Sequence, residues 1–438
     1  MATTRKIQLS TSDAGIYNTG VRADAAQAAS EVLQEDLEKH HTIFNDQGFH
    51  NHIVHHILTI YSLGASPEDI RAAYDQNKTY QRPNPPVNEN VVQSLGDKTE
   101  FKNYFGQPEH YHDFLAYFQQ EIDKKGVNAV LDEYLFSGDE CAEAMFVRLF
   151  SGLLHPWIHL GFGIEFSQPA IVAEALAETA IHNDWIGSMF LWPAEKVAGG
   201  TEEKGKKPLA HILQEMHADK KLIESTHYGD GMRTGVLKRA PDELAKYAAV
   251  YTVSEDQLEE RLAELTNTIV AYTAAAQRPQ KEVKFDFFLI HGVNSSIFFE
   301  KIFSLPSLDM RSKCRLLEWM GRMILFIYTM CGLPDPFLNE VKEYRTPRDW
   351  STVITASVVH PREDGHLSKL VRAVAHGERI CRPFDDKGKE QGFLISGDDW
   401  LKIGNMAIDS VSDEERPLWV RLAGFKQAWD QFADRSRL

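Results

Sequence analysis

Apolar residues recur at spacings of three and four along most of this chain, and almost nowhere do they alternate over more than a few positions. That pattern lays an apolar stripe along a helix and gives a strand no apolar face, so the chain is predicted to be all-α. AAQAASEVLQEDLEKHHTIF, PEHYHDFLAYFQQEIDKKG, CAEAMFVRLFSGLLHPWIHLG and SEDQLEERLAELTNTIVAYTAAA each read as a helix. Some ends are legible as well. In SPEDIRAAYDQN, Ser66 is placed to cap, Pro67 to occupy the first turn and Asp69 to close a capping box. With no internal repeat, the expected architecture is a large single-domain helical array over 1–438. It is interrupted by a proline-rich connection, RPNPPVNENVVQSLG, by a polar insertion at about 194–241, and by an irregular C-terminal tail.

Imidazoles are concentrated on the most apolar of these helices. FNDQGFHNHIVHH, Phe44 to His56, carries His50, His52, His55 and His56 directly ahead of ILTIY. A buried imidazole without a partner costs a few kcal/mol, roughly, so each needs a reason to be there. His52 and His56 lie four apart and share a helix face with His55 close by, whereas His50 reads as helix-end packing. GLLHPWIHLGFGIEF repeats the spacing with His155 and His159, and Pro156 between them is expected to bend or open the helix. Gly152, Gly161 and Gly163 allow a neighbouring helix or a flat ligand to come close, and Trp157, Phe162 and Phe166 offer aromatic walls. His291 stands alone in FFLIHGVNSS. The plain alternative for each is a core side chain bonded to a carbonyl or carboxylate. His366, Lys369 and Arg372 share a face of the helix HLSKLVRAVAHGE, for which a solvated salt-bridge face is the alternative.

Clustered imidazoles suit Zn, Cu, Fe or Ni. Cys141, Cys314, Cys331 and Cys381 lie far apart with no CxxC, which argues against a closed zinc site, an iron-sulfur centre or a disulfide scaffold, and fits reduced cytosolic thiols. Neither HExxH, GxGxxG nor GxxxxGK[ST] occurs, and an oxygen-using iron centre fits the histidine count best. His182 in HND, His217 in HAD and His376 in HGE imitate half of an iron-binding triad, but in helical or loop contexts. Glu109 with His112, Glu224 with His227, and Glu363 with His366 have the ExxH spacing of di-iron bundles in polar surroundings. A net charge of −16 disfavours nucleic acid, and the one lysine-rich run, Glu202 to Lys207, reads as a solvated loop. The start lacks a secretory apolar stretch, and MILFIYTMCGL is too short for a membrane span, so the expectation is a soluble cytoplasmic protein.

In order along the chain, NDQGFHNHIVHHILTIYSLGASPEDIRAAYDQN, GLLHPWIHLGFGIEF, FFLIHGVNSS and DGHLSKLVRA together resemble the questin oxidase-like family of fungal polyketide pathways. The resemblance implies an Fe(II)-dependent dioxygenase that uses O2 to open a ring carbon-carbon bond of an anthraquinone-type polyketide. It also implies a metal held by histidines and a carboxylated lysine. Carried over residue by residue, the ligands are His52, His56, His155, His159, His291 and Lys369, and activity is expected to depend on His52, His56, His159 and Lys369. That is one histidine more than a four-histidine shell needs, with His55 in reserve. The lysine makes sense as a carbamate, because burial frees the neutral amine to take up carbon dioxide. Other members are described as Baeyer-Villiger-type oxidases, which gives the alternative of an NADPH-dependent monooxygenase; the missing dinucleotide fingerprint counts against it. From a different class, the alternative is a noncatalytic polyketide-binding protein.

Overall fold

The structure is a computed structural model that describes residues 1–200, 205, 207–362, 364–412 and 416–435. Most of the run Glu202 to Lys207, and Glu363 of one ExxH pair, lie outside the described residues. Among the described residues the all-α expectation holds. Helices succeed one another along the chain, and strand-like pairing is confined to isolated bridges such as His40 with Pro83 and Ile43 with His50. No helix among them is long and apolar enough to cross a membrane. The four cysteines are buried.

Contacts group the chain into two compact units. The first comprises Met1–Asp184, Phe298–Asp309 and Val358–Lys369; the second comprises Trp185–Ile297, Met310–Ser357 and Leu370–Leu438.

In the first unit, the helix Pro67–Asn77 starts as its sequence dictates. Ser66 Oγ accepts from the Asp69 amide at 3.1 Å, and the Ser66 amide donates to Asp69 Oδ2 at 3.0 Å. The helix Ile53–Ser62 has no charged residue and is buried along its whole length. Burying each of Ile53, Ile57, Leu58 and Ile60 is worth about 1.5–3 kcal/mol, which fixes that helix in the core together with the imidazoles it carries. It packs against the helices Ala23–Lys39, Pro67–Asn77 and Ser151–Glu165, and the last of these packs in turn on the helix Pro169–Ile181, which places Glu174 and Glu178 among alanines, leucine and isoleucines.

The break in the helix Ser151–Glu165 is not at Pro156. Gly152, Leu153 and Leu154 take left-handed angles in succession, φ 53°, 57° and 71°, and Pro156 sits in the first regular turn that follows. There a proline costs little, because first-turn amides have no helical acceptor in any case. The left-handed leucines cost about 1–2 kcal/mol each, and tight packing holds them. A Cβ on Gly152 would lie 2.6 Å from His182 Cε1 and 2.9 Å from His50 Cε1. Gly152→Ala is therefore expected to lower stability by about 2 kcal/mol or more, read as a lower denaturant midpoint of the helical circular dichroism signal. An unchanged midpoint would mean that the two rings move aside at no cost. Gly161 and Gly163 are occupied by the protein itself, the first beneath the Phe298 ring and the second beneath the backbone at Val172.

In the second unit, the polar insertion at about 194–241, expected around a short helix at LAHILQEMH, is folded onto its surroundings. It forms the short helices Leu209–Ala218, Lys220–Glu224 and Gly235–Arg239, and buries Leu209, Ile212, Leu213, Met216, Leu222 and Val236. The helix at LAHILQEMH is legible from its apolar spacing, whereas the two shorter ones have too few turns for periodicity to stand out against the glycines and lysines around them. The irregular tail is as expected, and it is anchored: the amides of Glu282 and Phe287 donate to the carbonyls of Ala433 and Val420. Buried Asp286 accepts from the amides of Phe288, Leu289 and Ala423.

Candidate metal centre

The histidine-rich stretch enters its helix through a tight loop. The Phe44 amide donates to the Phe49 carbonyl at 2.9 Å, while Asn45 Oδ1 accepts from the amides of Gln47 and Phe49. Asn51 then ties the entry down. Its amide donates to Thr42 O at 2.7 Å, its Oδ1 accepts from the Ile53 amide and its Nδ2 donates to Asp36. His52 consequently stands at the N-cap, with φ −100° and ψ 2°, one position ahead of the regular helix.

Here three imidazoles from three distant segments converge. His52, His155 and His366 are all buried, and each offers one nitrogen such that all three lie within 4.8 Å of one another. His52 Nε2 faces His155 Nε2 at 3.0 Å, and the His52 and His366 ring centroids are 4.6 Å apart. The far side of two of these rings is held. His155 Nδ1 lies 2.6 Å from the Gly152 carbonyl, the acceptor that Pro156 has no amide to fill, and His366 Nδ1 lies 2.6 Å from Asp364 Oδ1. A carbonyl at Nδ1 requires a proton there, so the Nε2 of His155 is the lone-pair nitrogen; the Asp364 carboxylate does the same for His366. Asp364 Oδ2 also reaches His52 Nδ1 at 4.0 Å.

The centre keeps His52 and His55 neutral. Burial, and next the charge of Lys369, push His52 well below the ordinary histidine range, and the same two causes act in the same order on His55. Lys369 itself is buried, three residues after His366 on the first turn of the helix His366–Cys381. His55 is fully buried, and neither of its ring nitrogens has a hydrogen-bond partner. Its ring stacks on Phe162 at 5.3 Å and stands edge-on to His52 at 5.7 Å. An orphaned imidazole of this kind costs about 1–3 kcal/mol, a penalty that a bound metal removes. A set of buried, pre-oriented imidazoles fits a borderline divalent metal such as iron.

The other residues singled out in the sequence lie as follows. His56 turns its Nδ1 to Asn77 Nδ2 at 3.2 Å, and burial brings its pKa down to about 4. The shared face inferred for His52 and His56 does not form, because His52 precedes the helix. His159 sits between two glutamates, with Nδ1 3.3 Å from Glu178 Oε2 and Nε2 3.7 Å from Glu174 Oε2. Burial opposes its protonation, but the two carboxylates outweigh burial and raise its pKa. His291 belongs to the second unit, where its Nδ1 lies 2.6 Å from the Phe287 carbonyl. His366, Lys369 and Arg372 are buried, not a solvated salt-bridge face. Among the look-alikes, His217 pairs with Asp335 at 2.9 Å, His112 bonds the Pro85 carbonyl at 2.6 Å and Trp157 packs in the core against Phe299. His182 instead joins His50 and Glu178 in a second group of three potential ligands.

His366 is the member that sequence reasoning did not select as a ligand. The available signal was its spacing of two from Asp364 and three from Lys369 in DGHLSK. Asp364→Ala removes the carboxylate that orients this ring, so metal affinity is expected to fall about 10–100-fold in competition against a chelator. Unchanged affinity would show that Asp364 only caps the helix.

A model of the family described as Questin oxidase-like matches residues 49–374. The chain is similar to a Baeyer-Villiger oxidase, ptaJ, of Pestalotiopsis fici, at 39% identity over 92% of this chain and 93% of that one. It is also 39% identical to a questin oxidase of Aspergillus terreus over 98% of both chains. A Baeyer-Villiger monooxygenase, dmxR6, of a Cryptosporiopsis species is 34% identical over 97% of both.

Proposed function

Since this chain belongs to the questin oxidase-like family and is an oxidoreductase, we propose that it cleaves a ring of an anthraquinone-type polyketide oxidatively, as an Fe(II)-dependent dioxygenase. The observation that carries the reading is the convergence of His52, His155 and His366, all buried, on one point. With His55 as a fourth imidazole, these would hold the metal, and Lys369 as a carbamate would supply an anionic oxygen. This replaces His56, His159 and His291 in the set implied by the resemblance. Iron bound there supplies the one-electron chemistry by which O2 reacts with a closed-shell aromatic ring.

The chain's own residues do the rest. Gly152 O and Asp364 fix the tautomers of His155 and His366, so their lone pairs are presented without rearrangement. Phe162, stacked on His55 and edge-on to Phe298, forms an apolar wall that excludes water from the imidazoles. His159, Glu174 and Glu178 form a buried acid-base group one helical turn from His155, able to hold a proton at His159 Nδ1 or on a Glu178 oxygen.

A second reading, a Baeyer-Villiger monooxygenase drawing on NADPH, is favoured by the similarity to a Baeyer-Villiger oxidase and a Baeyer-Villiger monooxygenase. Protein purified anaerobically is expected to contain near-stoichiometric iron, to turn over without NADPH and to place both atoms of labelled O2 in the product. Metal-free protein with full activity, a strict NADPH requirement and one labelled atom would establish the second reading instead. A polyketide that binds and is never consumed would indicate a noncatalytic binding protein.

A further inference from the structure

We propose that His50, Glu178 and His182 form a second divalent-metal site. It is separate from the triad of His52, His155 and His366 and does not depend on the iron reading given to that triad. The ligand atoms of the three residues lie within 4.8 Å of one another. His50 Nε2 and His182 Nε2 are 2.8 Å apart, and His50 Nε2 is 3.6 Å from Glu178 Oε1. Glu178 is 1% exposed. One of its oxygens, Oε2, accepts from Thr42 Oγ1 at 2.7 Å, while Oε1, on the side of His50, has no hydrogen-bond partner. A buried carboxylate oxygen left unmatched beside two imidazoles is costly unless something positive meets it.

The backbone is shaped around the same point. The left-handed turn at Gly152 brings the chain so close to both rings that any Cβ there would collide with them. Stored strain of this kind concentrates at functional sites. His50 lies flat on His155, centroids 4.0 Å apart and planes within 8°, so a ligand on His50 would also hold the His155 ring in place. Arg148 donates to the His182 carbonyl at 2.9 Å, and its charge opposes a cation nearby; Asp184, 3.3 Å from its guanidinium, offsets that charge. Two imidazoles and one carboxylate are the donor set of sites for Zn(II), Fe(II) or Co(II). On binding, one of the two facing imidazoles moves its proton from Nε2 to Nδ1, so that both Nε2 lone pairs face the ion.

The test is metal stoichiometry on the full chain, stripped with a chelator and reloaded anaerobically with Zn(II), together with anomalous diffraction from crystals of the loaded protein. Two equivalents and two anomalous peaks are expected in the unaltered chain. His182→Ala and Glu178→Gln should each lose one equivalent and keep the peak at His52, while His366→Ala should lose the other. One equivalent that His366→Ala abolishes and His182→Ala leaves would overturn the second site and spare the proposed function. One equivalent lost only in His182→Ala would establish this site and overturn the metal reading of the triad. No bound metal would overturn both. The diffraction experiment uses the unaltered chain, so it decides the matter even if a variant fails to fold.

Discussion

His366→Ala is expected to lose its iron and with it about a thousandfold or more of kcat/KM, beyond the roughly 10–100-fold that loss of an orienting partner costs. His366 is 1% exposed, so alanine leaves a small buried hole in place of the imidazole that Asp364 orients at 2.6 Å. The helical circular dichroism spectrum should therefore survive while metal content falls. His52→Ala and His155→Ala should behave alike, since their nitrogens meet at 3.0 Å. His56→Ala supplies the contrast. Its ring nitrogen faces Asn77, and iron should remain near stoichiometric in that variant. If instead His56→Ala empties the centre and His366→Ala does not, the helix-face pairing of His52 with His56 is the correct set and the triad is not.

That contrast marks where the sequence stops being informative. The spacing of apolar residues foretold helices, and SPED foretold the capping box, because both depend on residues within one turn of each other. The pairing of His52 with His56 used the same local rule and did not hold, since it assumed that position 52 was already helical. Asn51, anchored to Thr42 and Asp36, delays the helix by one residue, a tertiary fact with no local signature. Pro156 was read as the break in its helix, yet the break is a left-handed run at Gly152–Leu154 that only the crowding of His50 and His182 explains. His366 and Lys369 looked like a charged surface because composition does not reveal which charged faces are buried. The meeting of His50 with His182, 132 residues apart, has no trace in the spacing of either.

Lys369→Ala is expected to cost at least about a hundredfold in activity together with most of the iron, and a short carboxylic acid such as acetate or propionate should restore part of both. The reasoning is electrostatic. Lys369 is 4% exposed, and its positive charge is the second cause, after burial, that holds His52 and His55 neutral. Two unit charges about 4 Å apart interact by about 4 kcal/mol at an effective dielectric of about 20, so an ammonium here would oppose any divalent cation. Uptake of carbon dioxide by the neutral amine forms a nitrogen-carbon bond and releases a proton, and the side chain changes from a cation to an anion. The resulting carbamate balances imidazoles that bring no charge of their own. In Lys369→Ala the vacated volume admits a small carboxylate in its place, whereas Lys369→Arg stays cationic and should not be rescued. Labelled bicarbonate should give a carbamate carbon signal in the NMR spectrum of the unaltered enzyme and none in either variant. Absence of that signal, with no rescue by added acid, would leave Lys369 a buried cation that packs the first turn of its helix, and the metal site all-histidine.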